Sequence, residues 1–188
     1  MTEKNKYDIF MMETAMIWSK ASYCDRRKVG AVIANENRII SIGYNGTLSG
    51  VENNCEEVIV KCEYCDKSVN VDTILKDIDK GEYSIKNYEV ICECGKSHIY
   101  TKDELCSIKP VTSDLTMHAE QNALMFCSKR GISTDGCTIY ITTSPCKVCS
   151  KLIAAAGIKE VVYLEEYKDT SGIEFLNRIK IPVRQITL

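Results

Sequence analysis

Two short stretches of this chain carry side chains able to hold a metal ion and move a proton. One is His118-Ala119-Glu120, within TMHAEQNALMF (116–126). The other is Pro145-Cys146-Lys147-Val148-Cys149. The chain has only two histidines, and one of them opens an apolar helical pattern. A catalytic zinc ion takes three protein ligands and leaves one position for water. His118, Cys146 and Cys149 supply three donors of the right kind. Cys146 and Cys149 lie one helical turn apart, so their sulfurs can converge on a single ion. In the first turn of a helix, unpaired N–H groups and the helix dipole favour the thiolate form. Glu120 stands two residues from His118, roughly 200° round a regular helix. It is a poor chelating partner and a better proton carrier beside a metal-activated water. A lone His-x-Glu recurs by chance, and a lone Cys-x-x-Cys is more often structural zinc or a redox pair. Their joint occurrence, with Pro145 directly before Cys146, points to catalytic zinc.

Regular elements must position these groups. Residues 7–22 set Ile9, Met12, Met16 and Ile17 near helical spacing, with Phe10 flanking the stripe. KVGAVIAN (28–35) reads as a strand, ENR as a turn and IISIGYNG (39–46) as a second strand, together a β-hairpin. After residue 112 helices and strands alternate. The pattern predicts a helix over 118–131 with Gly131 as its stop, a strand over 137–143, and a helix over 145–157. Ser144 is the candidate N-cap of that last helix, with Pro145 in its first turn and Gly157 past its end. A strand over 159–167, a helix over 170–178 and a strand over 181–188 follow. This order implies an α/β domain with a mixed sheet and helices on both faces. The chain is expected to be one domain, 1–188, interrupted by a segment at 50–112.

That segment has no strong period and holds six of the 11 cysteines. It reads as an insertion folded around metal. Cys62-x-x-Cys65 and Cys92-x-Cys94, the latter followed by Gly95, resemble the two knuckles of a zinc ribbon. Four such ligands make a structural zinc site. Cys127 and Cys137 have no such partners and read as small buried core residues.

The chain has 188 residues, 45% apolar and 27% charged, with a net charge of −2. There is no basic tail or arm, which argues against nucleic acid as a partner. No apolar run is long enough to span a bilayer. The N-terminal MTEKNKYDIF is mixed in charge and lacks a signal-peptide core. The expected location is the cytoplasm, where clustered cysteines suggest metal.

The joined pattern, His-x-Glu followed by Pro-Cys-x-x-Cys, is that of zinc nucleobase deaminases, with the glutamate as general acid and base. CDRRKVGAVIA, RIISIGYNGTLSG, MHAEQNAL, TIYITTSPCKVCSKLIAAAGIKEVVY and EEYKD extend the likeness over residues 15–55 and 116–170. Over about half its length the chain resembles the zinc-dependent deoxycytidylate deaminases of bacteria and phages, within the cytidine deaminase superfamily. The resemblance implies a three-layer α/β/α fold with a five-stranded sheet. It implies conversion of dCMP and water to dUMP and ammonia, supplying dUMP for thymidylate synthesis. It also implies a homo-oligomer, a hexamer, regulated by dCTP and dTTP. Asn45 would bind the sugar, Arg26 the phosphate, and Tyr167 would pack near the base. The N–H of Ala119 and a carbonyl near Ser144 would meet the base edge. Tyr44 and Gly46 would help form the effector site.

Relatives of this type carry a second zinc on a Cys before VGAV, a Cys after GYNG and groups of the following insertion. Cys24 and Cys55 fit the first two positions. Cys106 and His98 are candidates to complete the set, although His98 has no fixed spacing to the others. The longer insertion departs from the family here, and a swap such as Cys106 for Cys94 stays open. Two further readings also stay open. One is a deaminase of another cytosine nucleotide, a nucleoside or a nucleic-acid base. The other is a zinc-stabilised module without chemistry, which the presence of Glu120 and all three ligands disfavours.

Overall fold

The computed structural model describes residues 3–79 and 87–188. The chain divides into two compact units. One joins Met1–Asn53 to Leu115–Leu188, and the other is Asn54–Asp114.

The first unit runs α1 (Glu3–Ser19), β1 (Gly30–Asn35), β2 (Arg38–Tyr44), α2 (Ala119–Arg130), β3 (Thr138–Thr143), α3 (Lys147–Ala155), β4 (Glu160–Glu165), α4 (Ser171–Arg178) and β5 (Val183–Gln185). The sheet order is β5-β4-β3-β1-β2. β1 pairs antiparallel with β2 and β3, while β3, β4 and β5 are parallel. Glu36 and Asn37 both take positive φ, 45° and 64°, as a tight hairpin turn requires.

Strand periodicity divides the core. Ala31, Ile33, Ile139, Ile141 and Val161 face one way, onto Ala123, Leu124, Ile153 and Leu176 of the three later helices. Val32, Ala34, Tyr140 and Val162 face the other way, onto Met11, Met12 and Ala15 of α1. The result is the three-layer α/β/α architecture with a five-stranded mixed sheet. Each fully buried aliphatic side chain contributes about 1.5–3 kcal/mol. Cys127 and Cys137 are buried in the same core, as expected of small apolar residues.

Close backbone approach fixes α2 against the sheet. A Cβ at Gly43 would stand 2.3 Å from the Ala119 carbonyl and 2.6 Å from the Ala123 nitrogen. Only glycine lets the helix bearing Glu120 lie this near β2.

The second unit is more ordered than its sequence suggests. Ile59–Lys61 pairs with Ser68–Asn70, and Asn87–Ile91 with Ser97–Thr101, as two antiparallel hairpins. Helices Asp72–Asp79 and Lys102–Ser107 complete it. The Thr101 hydroxyl accepts from the Glu104 N–H, and the Glu104 carboxylate accepts from the Thr101 N–H, a capping box. Val58, Val60, Val71, Ile78, Val90 and Leu105 form its small core. Among the described residues no helix is long and apolar enough to cross a membrane.

Candidate active site

His118 is the N-cap of α2, with extended φ and ψ of −74° and 157°. Two neighbours hold it there. Thr116 and Met117 pair with Thr47 and Gly46, which ties the approach to the helix to the GYNG loop. The His118 N–H then donates to Gln121 Oε1 at 2.8 Å. Because His118 is not itself helical, the 200° separation expected from Glu120 does not apply. Both side chains meet Cys149, His118 Nδ1 at 3.3 Å from its Sγ and the Glu120 carboxyl through a hydrogen bond.

Cys146 is the N-cap of α3, and Cys149 sits in its first turn. Ser144 is therefore not the cap that its type suggested. Its hydroxyl instead accepts from the Tyr167 N–H at 2.8 Å. Its own N–H donates to the Glu165 carbonyl at 2.8 Å. These bonds fix the β3–α3 turn to the end of β4. On the other side, a Cβ at Gly172 would fall 2.0 Å from the Pro145 carbonyl. The turn is clamped between two chain segments.

The two helix starts converge. His118 Nδ1 lies 3.6 Å from Cys146 Sγ and 3.3 Å from Cys149 Sγ. The three ligand atoms all lie within 4.8 Å of one another. One imidazole nitrogen and two sulfurs in that space match the donor set of a zinc ion with an open position. The Cys146 thiol is lowered to about 4, first by its hydrogen bond with Cys149 and also by His118, against the opposing effect of burial. Cys149 is pushed up by the same bond with Cys146 and by burial. His118 is raised, chiefly through its bond with Cys146.

Glu120 is 4% exposed. Burial raises its carboxyl from 4.5 to about 7, the His118 charge opposes this, and it hydrogen-bonds the Cys149 thiol. An acid near neutrality beside a three-donor cluster can both take and give a proton.

The other expected residues fall as follows. Ala119 is fully buried at the first position of α2, where backbone N–H groups have no intrahelical partner. Asn45 uses its amide on the backbone. Its Oδ1 accepts from the Val29 N–H at 2.7 Å, and its Nδ2 donates to the Arg27 carbonyl at 2.8 Å. Arg26 is exposed. Its neighbour Arg27 is also exposed and lies beside β3 and Tyr167. The Arg27 guanidinium lies 3.4 Å from Thr143 Oγ1 and 5.8 Å from the centre of the Tyr167 ring. Tyr44 stacks on Trp18, and its carbonyl accepts from Asn122 Nδ2 at 2.7 Å.

Cys62, Cys65, Cys92 and Cys94 converge in the second unit. Among the described residues, neither group of three or more metal-type ligands includes Cys24, Cys55 or Cys106. Cys106 is exposed, and Cys24 and Cys55 are buried. His98 stands beside the four-cysteine group, its Nε2 3.8 Å from Cys62 Sγ. The cause is strand register, which sets His98 opposite Val90, two residues from Cys92. The His98 bond is also the main cause that lowers the Cys62 thiol to about 6.

The sheet order, the three layers and the pairing of His-x-Glu with Pro-Cys-x-x-Cys at two helix starts define a cytidine deaminase-like fold. The chain belongs to the family described as the cytidine and deoxycytidylate deaminase zinc-binding region, whose model matches residues 5–165. It is similar to the deoxycytidylate deaminase of Enterobacteria phage T2, 35% identical over 161 residues, which cover 84% of this chain and 79% of the relative. It is 28% identical over 187 residues to ComE operon protein 2 of Bacillus subtilis, covering 99% of this chain and 74% of that one. A dCMP deaminase from the cyanophage S-TIM5, solved in complex with dCMP and dUMP, matches with a TM-score of 0.64 and 32% identity. That match covers 99% of each chain.

Proposed function

We propose that this chain hydrolyses dCMP to dUMP and ammonia, with Glu120 as proton carrier and His118, Cys146 and Cys149 as the ligands of one zinc ion. The observation that carries the reading is a buried carboxyl, raised to about 7, in contact with a His-Cys-Cys cluster. The names of the phage relatives support the substrate. When bound, zinc supplies a Lewis acid that brings the pKa of a water molecule toward neutrality. Glu120 takes a proton from the attacking water as the new oxygen–C4 bond forms, and passes it to N3. It then carries the second proton to the exocyclic nitrogen. The C4–N bond breaks, ammonia leaves, and the ring is left as uracil.

The N–H of Ala119 and the backbone at Ser144 orient the base edge. Tyr167 packs beside the base. The substrate phosphate is assigned to Arg26 and Arg27, of which Arg27 lies against the β3 end and Tyr167. Asn45 acts on the sugar side, through its hold on the Arg27–Val29 backbone. Regulation by dCTP and dTTP would act through the Tyr44–Gly46 loop. That loop bonds to Asn122 and pairs with Met117, next to His118. A homo-oligomer is part of the same reading.

The test compares dCMP, deoxycytidine, cytosine and a cytosine-containing oligonucleotide as substrates of zinc-loaded protein, with and without dCTP. Preference for dCMP, altered by dCTP, is the expected result. Preference for the oligonucleotide would replace the substrate assignment, and kinetics indifferent to dCTP and dTTP would remove the regulation.

A further inference from the structure

We propose that Cys62, Cys65, Cys92 and Cys94 bind one structural zinc ion that closes the Asn54–Asp114 unit. This is a site apart from the one assigned to deamination, and it needs nothing from that reading.

The two cysteine pairs occupy the tips of the two hairpins. At the first tip, the Cys62 N–H donates to the Lys67 carbonyl at 2.9 Å, and the Asp66 N–H donates back to the Cys62 carbonyl at 2.9 Å. Asp66 takes a φ of 58° to make that turn. At the second tip, the Cys92 N–H donates to the Lys96 carbonyl at 2.8 Å, and the Gly95 N–H donates to the Cys92 carbonyl at 2.9 Å. Gly95 has a φ of 81°. Both turns curl the chain so that two thiols per tip point at one place.

Cys62 Sγ lies 3.7 Å from Cys94 Sγ, and Cys65 Sγ lies 3.6 Å from Cys92 Sγ. All four sulfurs lie within 4.8 Å of one another. A tetrahedral zinc ion with Zn–S bonds of about 2.3 Å requires sulfurs about 3.8 Å apart. A disulfide would require about 2.0 Å. The cross-tip spacings therefore fit four thiolates round an ion and do not fit disulfides. Soft sulfur donors in a closed set of four select zinc or an iron centre.

The unit also needs such a tie. Its core is six aliphatic side chains, and its strands outside the second hairpin are two or three residues long. Units of this size usually lean on a metal or disulfide staple. The cluster joins hairpins that are separated in sequence by the helix Asp72–Asp79. Beside it, His98 and the Tyr64 ring, centroids 5.4 Å apart, cover the Cys62 side.

The experiment counts metal in the full chain by native mass spectrometry and elemental analysis. The Cys92→Ser/Cys94→Ser variant should hold one zinc equivalent fewer than the parent, while Cys106→Ser should hold the same number. Because the double variant can fail to fold, a second measurement uses the parent protein. Chelation should strip hydrogen-exchange protection from residues 59–70 and 87–91 with 97–101. An unchanged metal count in the double variant would overturn the proposal. So would iron in place of zinc, or unchanged protection of both hairpins after the metal is removed. None of these readouts depends on turnover. Failure of the deamination reading would show in the substrate assay while leaving this count intact.

Discussion

The two units each gather thiols around one point, but they do so with different scaffolds. In the first, His118 and Cys146 cap two helices that are packed on a five-stranded sheet, with Cys149 one turn further along. Three donors converge there, and a buried carboxyl stands beside them. In the second, four cysteines sit at the tips of two hairpins, with Cys65 and Cys94 exposed and Cys62 and Cys92 buried. The difference separates chemistry from construction. Three ligands leave a position for a reacting water, and four do not. Rigid helix starts hold a carboxyl where it can move a proton, whereas hairpin tips hold only each other.

This contrast is most easily broken by emptying the core of one unit. Leu105 is fully buried among the six aliphatics of the second unit. Leu105→Ala should destabilise that unit by about 2–5 kcal/mol. Hydrogen exchange should speed up in residues 59–70 and 97–101 and stay unchanged in β1 and β3. Equal acceleration in β1 would show that the two units unfold as one.

The next effect belongs to the first unit alone. Burial raises Glu120 from 4.5 to about 7. Its folded state therefore holds the proton more tightly than the unfolded state does. That stabilising contribution is complete below the unfolded value and is lost as pH rises through about 7. The shift corresponds to about 3 kcal/mol. In metal-free protein, the stability of Glu120→Gln relative to wild type should rise by about that amount between acid and alkaline pH. Urea unfolding across the pH range reads it, and a pH-independent difference would place the carboxyl in water.

A smaller effect concerns Asn45. Asn45→Ala removes two hydrogen bonds to the Arg27–Val29 backbone. The expected loss is about 1–2 kcal/mol, with a rise in KM for dCMP as Arg27 loses its position. A raised KM with an unchanged unfolding midpoint would point to direct contact with the sugar instead.

The first unit was legible because its patterns are long. Runs rich in β-branched and apolar residues, KVGAVIAN and TIYITT, read as strands, and β1 and β3 are those strands, buried on both faces. The His-x-Glu and Pro-Cys-x-x-Cys motifs mark the converging donors. Period counting fails where the chain leaves regular geometry. His118 and Cys146 are caps, so the helical wheel misplaces one against Glu120, and Ser144 loses its assigned role. The second unit reads as irregular because its strands outside the second hairpin are two or three residues long, too short to show a period. The capping box at Thr101 and Glu104 was its clearest unread signal. The nearness of His98 to Cys62 could not be counted along the chain, because it depends on register across a hairpin.

The central claim is that Glu120 moves protons and does not hold the metal. The direct measurement takes wild type and Glu120→Gln, both loaded with zinc, and follows dUMP and ammonia formed from dCMP alongside the zinc content. The account predicts equal zinc in both proteins and a kcat lower by about 10²–10⁴-fold in the variant. Equal turnover, or loss of zinc in proportion to loss of activity, would contradict it.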